Sequence, residues 1–251
     1  MRIVTWNCCR GPLDLKLAAL EHLRPDVAVL SESATPKSHS DRLAWFPASS
    51  CGTLVATYGP YRVEKLPAAD LPACVNPVRV SGPQEFNLLA VWTWAAPTYL
   101  GALLKGLDAY DELIRSGPTV VAGDFNGNTK FDTPRRRVKW ADAFARLETL
   151  GLKSAYHTGA DCSYGEEHHP TYYHYKKFRN PFHLDYCFVP SKWLAGEFTV
   201  SVGSFDDWSE VSDHRPIVVE IGPPRPTRSL SKRAKLSSTT SAYAERNSGR
   251  P

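Results

Sequence analysis

Val211-Ser212-Asp213-His214-Arg215-Pro216 is the stretch on which the reading of this chain turns. It leads into an apolar, strand-like run at 216–221. Four other polar clusters sit against runs of the same kind: Thr5-Trp6-Asn7, Ser31-Glu32-Ser33, Gly123-Asp124-Phe125-Asn126 and Leu184-Asp185-Tyr186. Polar groups collected at the ends of several strands are how a sheet protein builds a site. These five supply carboxylates, carboxamides and one imidazole, a set suited to a hard divalent cation and a phosphate ester.

Working outward, residues 2–6 and 27–30 read as buried strands, with a helix-period pattern over 13–23 between them. Residues 52–58 and 61–66 read as strands joined by Gly59-Pro60, and Phe86 to Val91 as another. Leu100 to Leu113 and Val138 to Leu150 read as helices around a buried strand at 119–122. Four late strands are predicted at 171–175, 184–189, 197–202 and 216–221. Many strands and few helices, without a repeat or an interior linker, predict an α/β fold. The predicted form is a four-layer, two-sheet β-sandwich flanked by helices, not a doubly wound sheet. One domain is expected over 1–221, with a basic, Pro/Ser-rich disordered tail over 222–251.

The net charge of +4 misleads. The segment 222–251 carries seven Lys and Arg against Glu245, so the folded part is about −2. A basic balance supplied by a tail is weak support for a nucleic-acid groove. No stretch reaches transmembrane length, and no signal-peptide pattern follows Met1. A cytoplasmic monomer is expected, without a membrane partner. The six cysteines form no C-x-x-C and are expected as free thiols.

Asp124 and Asn126 lie two apart, so on extended chain they face one way and can orient a water together. Glu32, at a strand end, suits a metal such as Mg²⁺, which takes one or two carboxylates and keeps water. Asn7 has the same placement. Asp213 and His214 are adjacent and on a strand would face apart, so the imidazole needs another acid. Asp185, in His183-Leu184-Asp185-Tyr186, is the natural candidate: a carboxylate on one ring nitrogen fixes the tautomer and raises the pKa.

With these residues in this order, the chain resembles the endonuclease/exonuclease/phosphatase superfamily over about residues 1–221, and more narrowly a bacterial branch of it. Leu89-Ala90-Val91-Trp92-Thr93 and Ser154-Ala155-Tyr156-His157 are supporting segments. The resemblance implies Mg²⁺ (or Mn²⁺) at Glu32 beside Asn7, with Asp213 near it. It also implies Asp124 acting on the attacking water with Asn126, and His214 on the phosphoryl group with Asp185 behind it. One departure stands out. The family carries a His or Tyr at the end of the middle strand, where this chain has Trp92 and Trp94. Indole donates one hydrogen bond and shuttles no proton. His157, His168, His169, Tyr173 and His174 are candidates to replace it, with His157 and His174 expected to bind substrate.

The expected function is a divalent-metal-dependent phosphoesterase on phosphodiester bonds, a nuclease acting on DNA or RNA. The alternatives are a phosphatase on a small or lipid phosphoester and a non-catalytic binding protein that keeps the fold. Lys130, Arg135, Arg136, Arg137 and Lys139 follow the Asp124 loop and are placed to track a phosphate backbone.

Overall fold

The computed structural model describes residues 1–94 and 98–222. The expected tail, apart from Gly222, lies outside them. The chain runs through β1 (Arg2–Asn7), α1 (Leu13–Leu20), β2 (Val27–Ser33), β3 (Leu43–Pro47), β4 (Gly52–Thr57), β5 (Arg62–Lys65), β6 (Val75–Ser81) and β7 (Phe86–Trp92). Helices α2 (Tyr99–Ala109) and α3 (Asp111–Arg115) precede β8 (Thr119–Asp124). Then come α4 (Trp140–Thr149), β9 (Leu152–Ser154), α5 (Ala155–Ala160), β10 (Tyr172–Tyr173), β11 (Pro181–Phe182), β12 (Asp185–Pro190), β13 (Phe198–Val202), α6 (Phe205–Trp208) and β14 (Ile217–Ile221).

Two six-stranded sheets face each other. Their strand orders are β13-β14-β1-β2-β4-β3 and β5-β6-β7-β8-β12-β9. The pairs β1–β2 and β7–β8 are parallel and lie mid-sheet; the other pairs are antiparallel. Strand alternation sorts the side chains. Ile3, Val27, Val29, Leu88, Ala90, Val120, Ala122, Cys187 and Val219 meet between the sheets. On the outside of one sheet, Val4, Trp6, Leu30 and Leu54 pack with Leu20 of α1 and Trp208 of α6. On the outside of the other, Leu89, Val91, Val121 and Phe188 pack with Leu103 and Leu107 of α2 and Phe144 of α4. The result is the predicted four-layer sandwich.

The differences are local. The helix expected over 100–113 breaks at Tyr110, whose ring is buried and whose ψ of 16° leaves the helical range. The pair at 52–58 and 61–66 does not lie in one sheet: Gly59-Pro60 carries the chain from one sheet to the other. The strands β3, β6 and β9 were not expected; β6 includes Pro77, and β9 has three residues. The strand at 171–175 shrinks to Tyr172–Tyr173, because Tyr175 turns to a φ of 53°. All six cysteines are free. Among the described residues no helix is long and apolar enough to cross a membrane.

Candidate active site

Three strands deliver their last inward positions to one end of the sandwich. On β1 the inward series Ile3, Thr5 ends at Asn7; on β8, Val120, Ala122 ends at Asp124; on β12, Val189, Cys187 leads back to Asp185. Each of these polar residues has an aromatic neighbour on the opposite face that anchors it. Trp6 packs edge-on against Trp208 at 5.0 Å and donates from Nε1 to the His214 carbonyl at 3.2 Å. Phe125 lies 5.1 Å from Tyr186 and 5.9 Å from Phe188, on the helix-covered side. The same alternation thus buries the anchor and aims the functional group.

Backbone geometry does the rest. Gly123 has a φ of 146°, and a Cβ there would lie 1.8 Å from the Val91 carbonyl oxygen, so only glycine lets β8 lie this close to β7. The pairing of β2 with β4 shifts between Leu30 and Ser33, and in that bulge Glu32 takes a φ of 55°. A bulge re-aims a side chain, here away from plain alternation. Asn126 has a φ of 49°. Left-handed non-glycine residues cost about 1–3 kcal/mol each and gather at functional sites.

Asp124 is fully buried and held by three donors: Asn7 Nδ2 at 2.9 Å, the Asn126 amide N–H at 2.8 Å and Asn126 Nδ2 at 2.9 Å. Asn7 Nδ2 also donates to Glu32 Oε1 at 3.1 Å, so one carboxamide ties two carboxylates together. The Glu32 side chain is 25% exposed, and its other oxygen lies 3.4 Å from Arg10 Nε. Asp213 lies beside Cys9, whose thiol is raised by burial first, then by the Asp213 charge, and also by that of Glu32.

Asp185 stands directly opposite Asp124 in the antiparallel pair of β12 and β8. Two like charges in that register repel. His214 relieves the repulsion: its Nδ1 lies 2.8 Å from Asp185 Oδ2, and both side chains are buried. Burial disfavours the imidazolium, but the Asp185 and Asp124 carboxylates outweigh it and raise His214 to about 9. Burial, with Asp185 adding and His214 opposing, raises Asp124 to about 7. The 211–216 stretch is stitched in place. Ser212 Oγ donates to the Asn7 carbonyl at 2.8 Å and accepts from the His214 amide at 2.9 Å. Arg215 is buried and stacks on Tyr173 and Phe205, 4.8 Å from each ring.

The structure therefore brings together Asn7, Glu32, Asp124, Asn126, Asp185, Asp213 and His214. It places His157 elsewhere, with Nδ1 on Ser154 Oγ at 2.8 Å and Nε2 on Glu167 Oε1 at 3.1 Å. His169 bonds the Tyr156 hydroxyl at 2.9 Å. His174 reaches the site's edge through Tyr172, whose hydroxyl lies 2.6 Å from His174 Nδ1. Tyr172 is the residue that sequence reasoning missed. Its ring lies 4.6 Å from the His214 ring, and its backbone pairs with His214. Burial, then the charges of Asp213 and Asp124, push its phenol to about 12. Only an isolated backbone bridge brings it there, which no local pattern announces. Trp92 stands in register with Asp124 on β7 and is buried.

Asp124, Asp185 and His214 each offer a ligand atom within 4.8 Å of the others, so they could also hold a cation. The Asp185–His214 hydrogen bond argues against that use, because it occupies the facing oxygen and nitrogen. Glu32 fits a hard cation better: its carboxylate is partly exposed, and the carboxamide of Asn7 links it to Asp124.

No protein-family model matches the sequence, and no curated protein matches it. Solved structures do. The endonuclease domain of TRAS1, a telomere-specific non-LTR retrotransposon, has a TM-score of 0.63 at 15% identity, covering 88% of this chain and 97% of its own. The 3' phosphatase NExo from Neisseria, bound to a product DNA hairpin, has a TM-score of 0.63 at 19% identity, covering 88% and 99%. An AP endonuclease from Archaeoglobus fulgidus has a TM-score of 0.64 at 12% identity, covering 88% and 99%. The chain has the endonuclease/exonuclease/phosphatase fold.

Proposed function

We propose that this chain is a divalent-metal-dependent phosphoesterase that hydrolyses phosphodiester bonds, a nuclease on DNA or RNA that works as a cytoplasmic monomer. The observation that carries the reading is the Asp124–Asp185–His214 cluster beside Asn7 and Glu32. Structural neighbours named as an endonuclease and a 3' phosphatase support it. Glu32 would hold Mg²⁺ or Mn²⁺, with Asn7 and Asp213 beside it. A bound divalent ion supplies Lewis acidity that neutralises charge on phosphoryl oxygens.

The chain's own groups supply the rest. Asp124 sits near the optimum for a general base at neutral pH, and Asn7 and Asn126 fix its oxygens to orient the attacking water and take its proton. His214 is cationic at neutral pH, and Asp185 holds its Nδ1. The free Nε2 face then donates to a phosphoryl oxygen as negative charge grows. Tyr172, packed on the His214 ring, and His174, bonded to the Tyr172 hydroxyl, would contact the substrate beside it.

The test is hydrolysis by the purified chain, with Mg²⁺ or Mn²⁺, of plasmid DNA, RNA and a panel of phosphomonoesters. Diester cleavage is expected, and His214→Ala should lower it by about 10²–10⁴-fold. Cleavage of monoesters alone would favour a phosphatase. No hydrolysis with any metal or substrate would leave a binding protein that keeps the fold.

A further inference from the structure

Beside the catalytic carboxylate lies a groove that this chemistry does not use. It has a volume of about 970 Å³, and Trp94, Tyr99, Phe131, Arg136, Arg137 and Val138 are among its walls. Asn126, which bonds Asp124, is also a wall, so the groove opens directly from the site. That volume lies in the range of small-ligand sites, about 300–1,000 Å³.

Its chemistry is two-sided. Tyr99 is 49% exposed and Val138 45%, an unusual display for large apolar groups. Trp94 is half-buried, and its Nε1 donates to the Ala73 carbonyl at 3.4 Å, which orients the indole. Arg136 and Arg137 are exposed, and among the described residues neither pairs with a carboxylate. Among the described residues no acid lines the groove. The nearby Asp132 is spent on the Trp140 and Ala141 amides at the start of α4. Aromatic faces beside unpaired arginines, without acids, match an unpaired nucleotide: a π-face to stack and a phosphate to neutralise.

We propose that this groove binds a single-stranded stretch of polynucleotide next to the scissile bond. A base stacks on Tyr99 and Trp94, and backbone phosphates meet Arg136 and Arg137. A duplex keeps its base faces stacked inside and cannot use these rings. The substrate class is then nucleic acid with unpaired nucleotides beside the cleavage point, an inference that rests on the phosphoesterase reading above.

The experiment measures binding in EDTA, where turnover stops. Full-length protein is titrated into a labelled oligothymidylate of about 4–16 nucleotides and into a blunt-ended, fully paired DNA duplex, followed by fluorescence anisotropy. The single strand should bind more tightly. Tyr99→Ala should weaken it by roughly 5–100-fold, the loss of one stacking platform, with Tyr99→Phe restoring it. Arg136→Ala with Arg137→Ala should flatten the salt dependence by about 1.4 in log–log slope. The substituted side chains are exposed, and unchanged thermal unfolding confirms the fold. Equal affinity for both probes, or indifference to Tyr99→Ala, overturns the groove. Hydrolysis of bis(4-nitrophenyl) phosphate by the unmodified protein with Mg²⁺ or Mn²⁺ reads the chemistry separately. Hydrolysis without single-strand preference removes the groove and leaves the phosphoesterase. Groove binding without any hydrolysis removes the phosphoesterase and its substrate.

Discussion

Glu167 lies outside the cluster of phosphate-directed residues, yet it anchors the loop that carries one of them. Its side chain is 2% exposed. Oε1 alone accepts from His157 Nε2 at 3.1 Å, Asn128 Nδ2 at 3.0 Å and the Gly165 amide at 2.9 Å. Burial works to raise this carboxyl, but hydrogen bonds from His157, the Gly165 amide and its own amide, with the His183 charge, outweigh it and hold it at about 2, against an ordinary 4.5. The gap of about 2.5 units corresponds to roughly 3 kcal/mol. Because the folded pKa is depressed, that stability is full above the ordinary value and is lost as pH falls through about 2. Glu167→Gln keeps an oxygen acceptor and removes the charge. It should cost about 2–3 kcal/mol at pH 7, with the gap closing between 4.5 and 2. Glu167→Ala should cost more, since it strands three buried donors. Urea unfolding across this pH range reads both. Activity should follow, because Asn128 also bonds the His183 carbonyl at 3.0 Å and the Tyr186 hydroxyl at 3.2 Å. A loosened Asn128 shifts neighbouring Asn126, and a displacement near 1 Å costs up to about 10²-fold in turnover. Equal stability of Glu167→Gln and the unmodified protein at pH 7, or a gap independent of pH, would refute the argument.

For the proposed diesterase, kcat/KM should rise with pH as Asp124 ionises near 7 and fall as His214 loses its proton near 9. Asp185→Asn should pull the alkaline limb down, because burial alone lowers an imidazole. The stability that it removes should be largest below 6.5 and vanish as pH rises through 9, read by unfolding at both ends. Glu32→Ala should weaken Mg²⁺ or Mn²⁺ binding by at least about tenfold in calorimetry; unchanged affinity would move the ion elsewhere. Tyr172→Ala should lower turnover by about 10²-fold, and Tyr172→Phe less, since Phe keeps the ring on His214 but loses the His174 contact. Full activity in Tyr172→Ala would remove it from the site.

The sequence by itself determined which residues stand at strand ends. The alternation of Trp6 with Asn7, Phe125 with Asp124, and Tyr186 with Asp185 is local, and a period of two assigns each to a face; Asn126 does not follow it, because β8 ends at Asp124 and Asn126 turns back to it with a φ of 49°. Gly123 is different: it lies inside β8, and its need for glycine comes from the Val91 carbonyl on the neighbouring strand, which no local pattern shows. The two-sheet fold followed from counting strands and helices. Other features depend on partners distant in sequence. Strand β6 hides behind Pro77, and its place is fixed by pairing with β7. The opposition of Asp185 and Asp124 exists only once β12 lies beside β8. Tyr172 reached the site because the β10–β11 hairpin bridges to His214, while His157 turned to Glu167. Periodicity records which way a side chain faces along its own strand. What it faces across the site is decided by register between strands far apart in the chain: at that meeting point burial raises Asp124, while the Asp185 and Asp124 carboxylates raise His214 against burial.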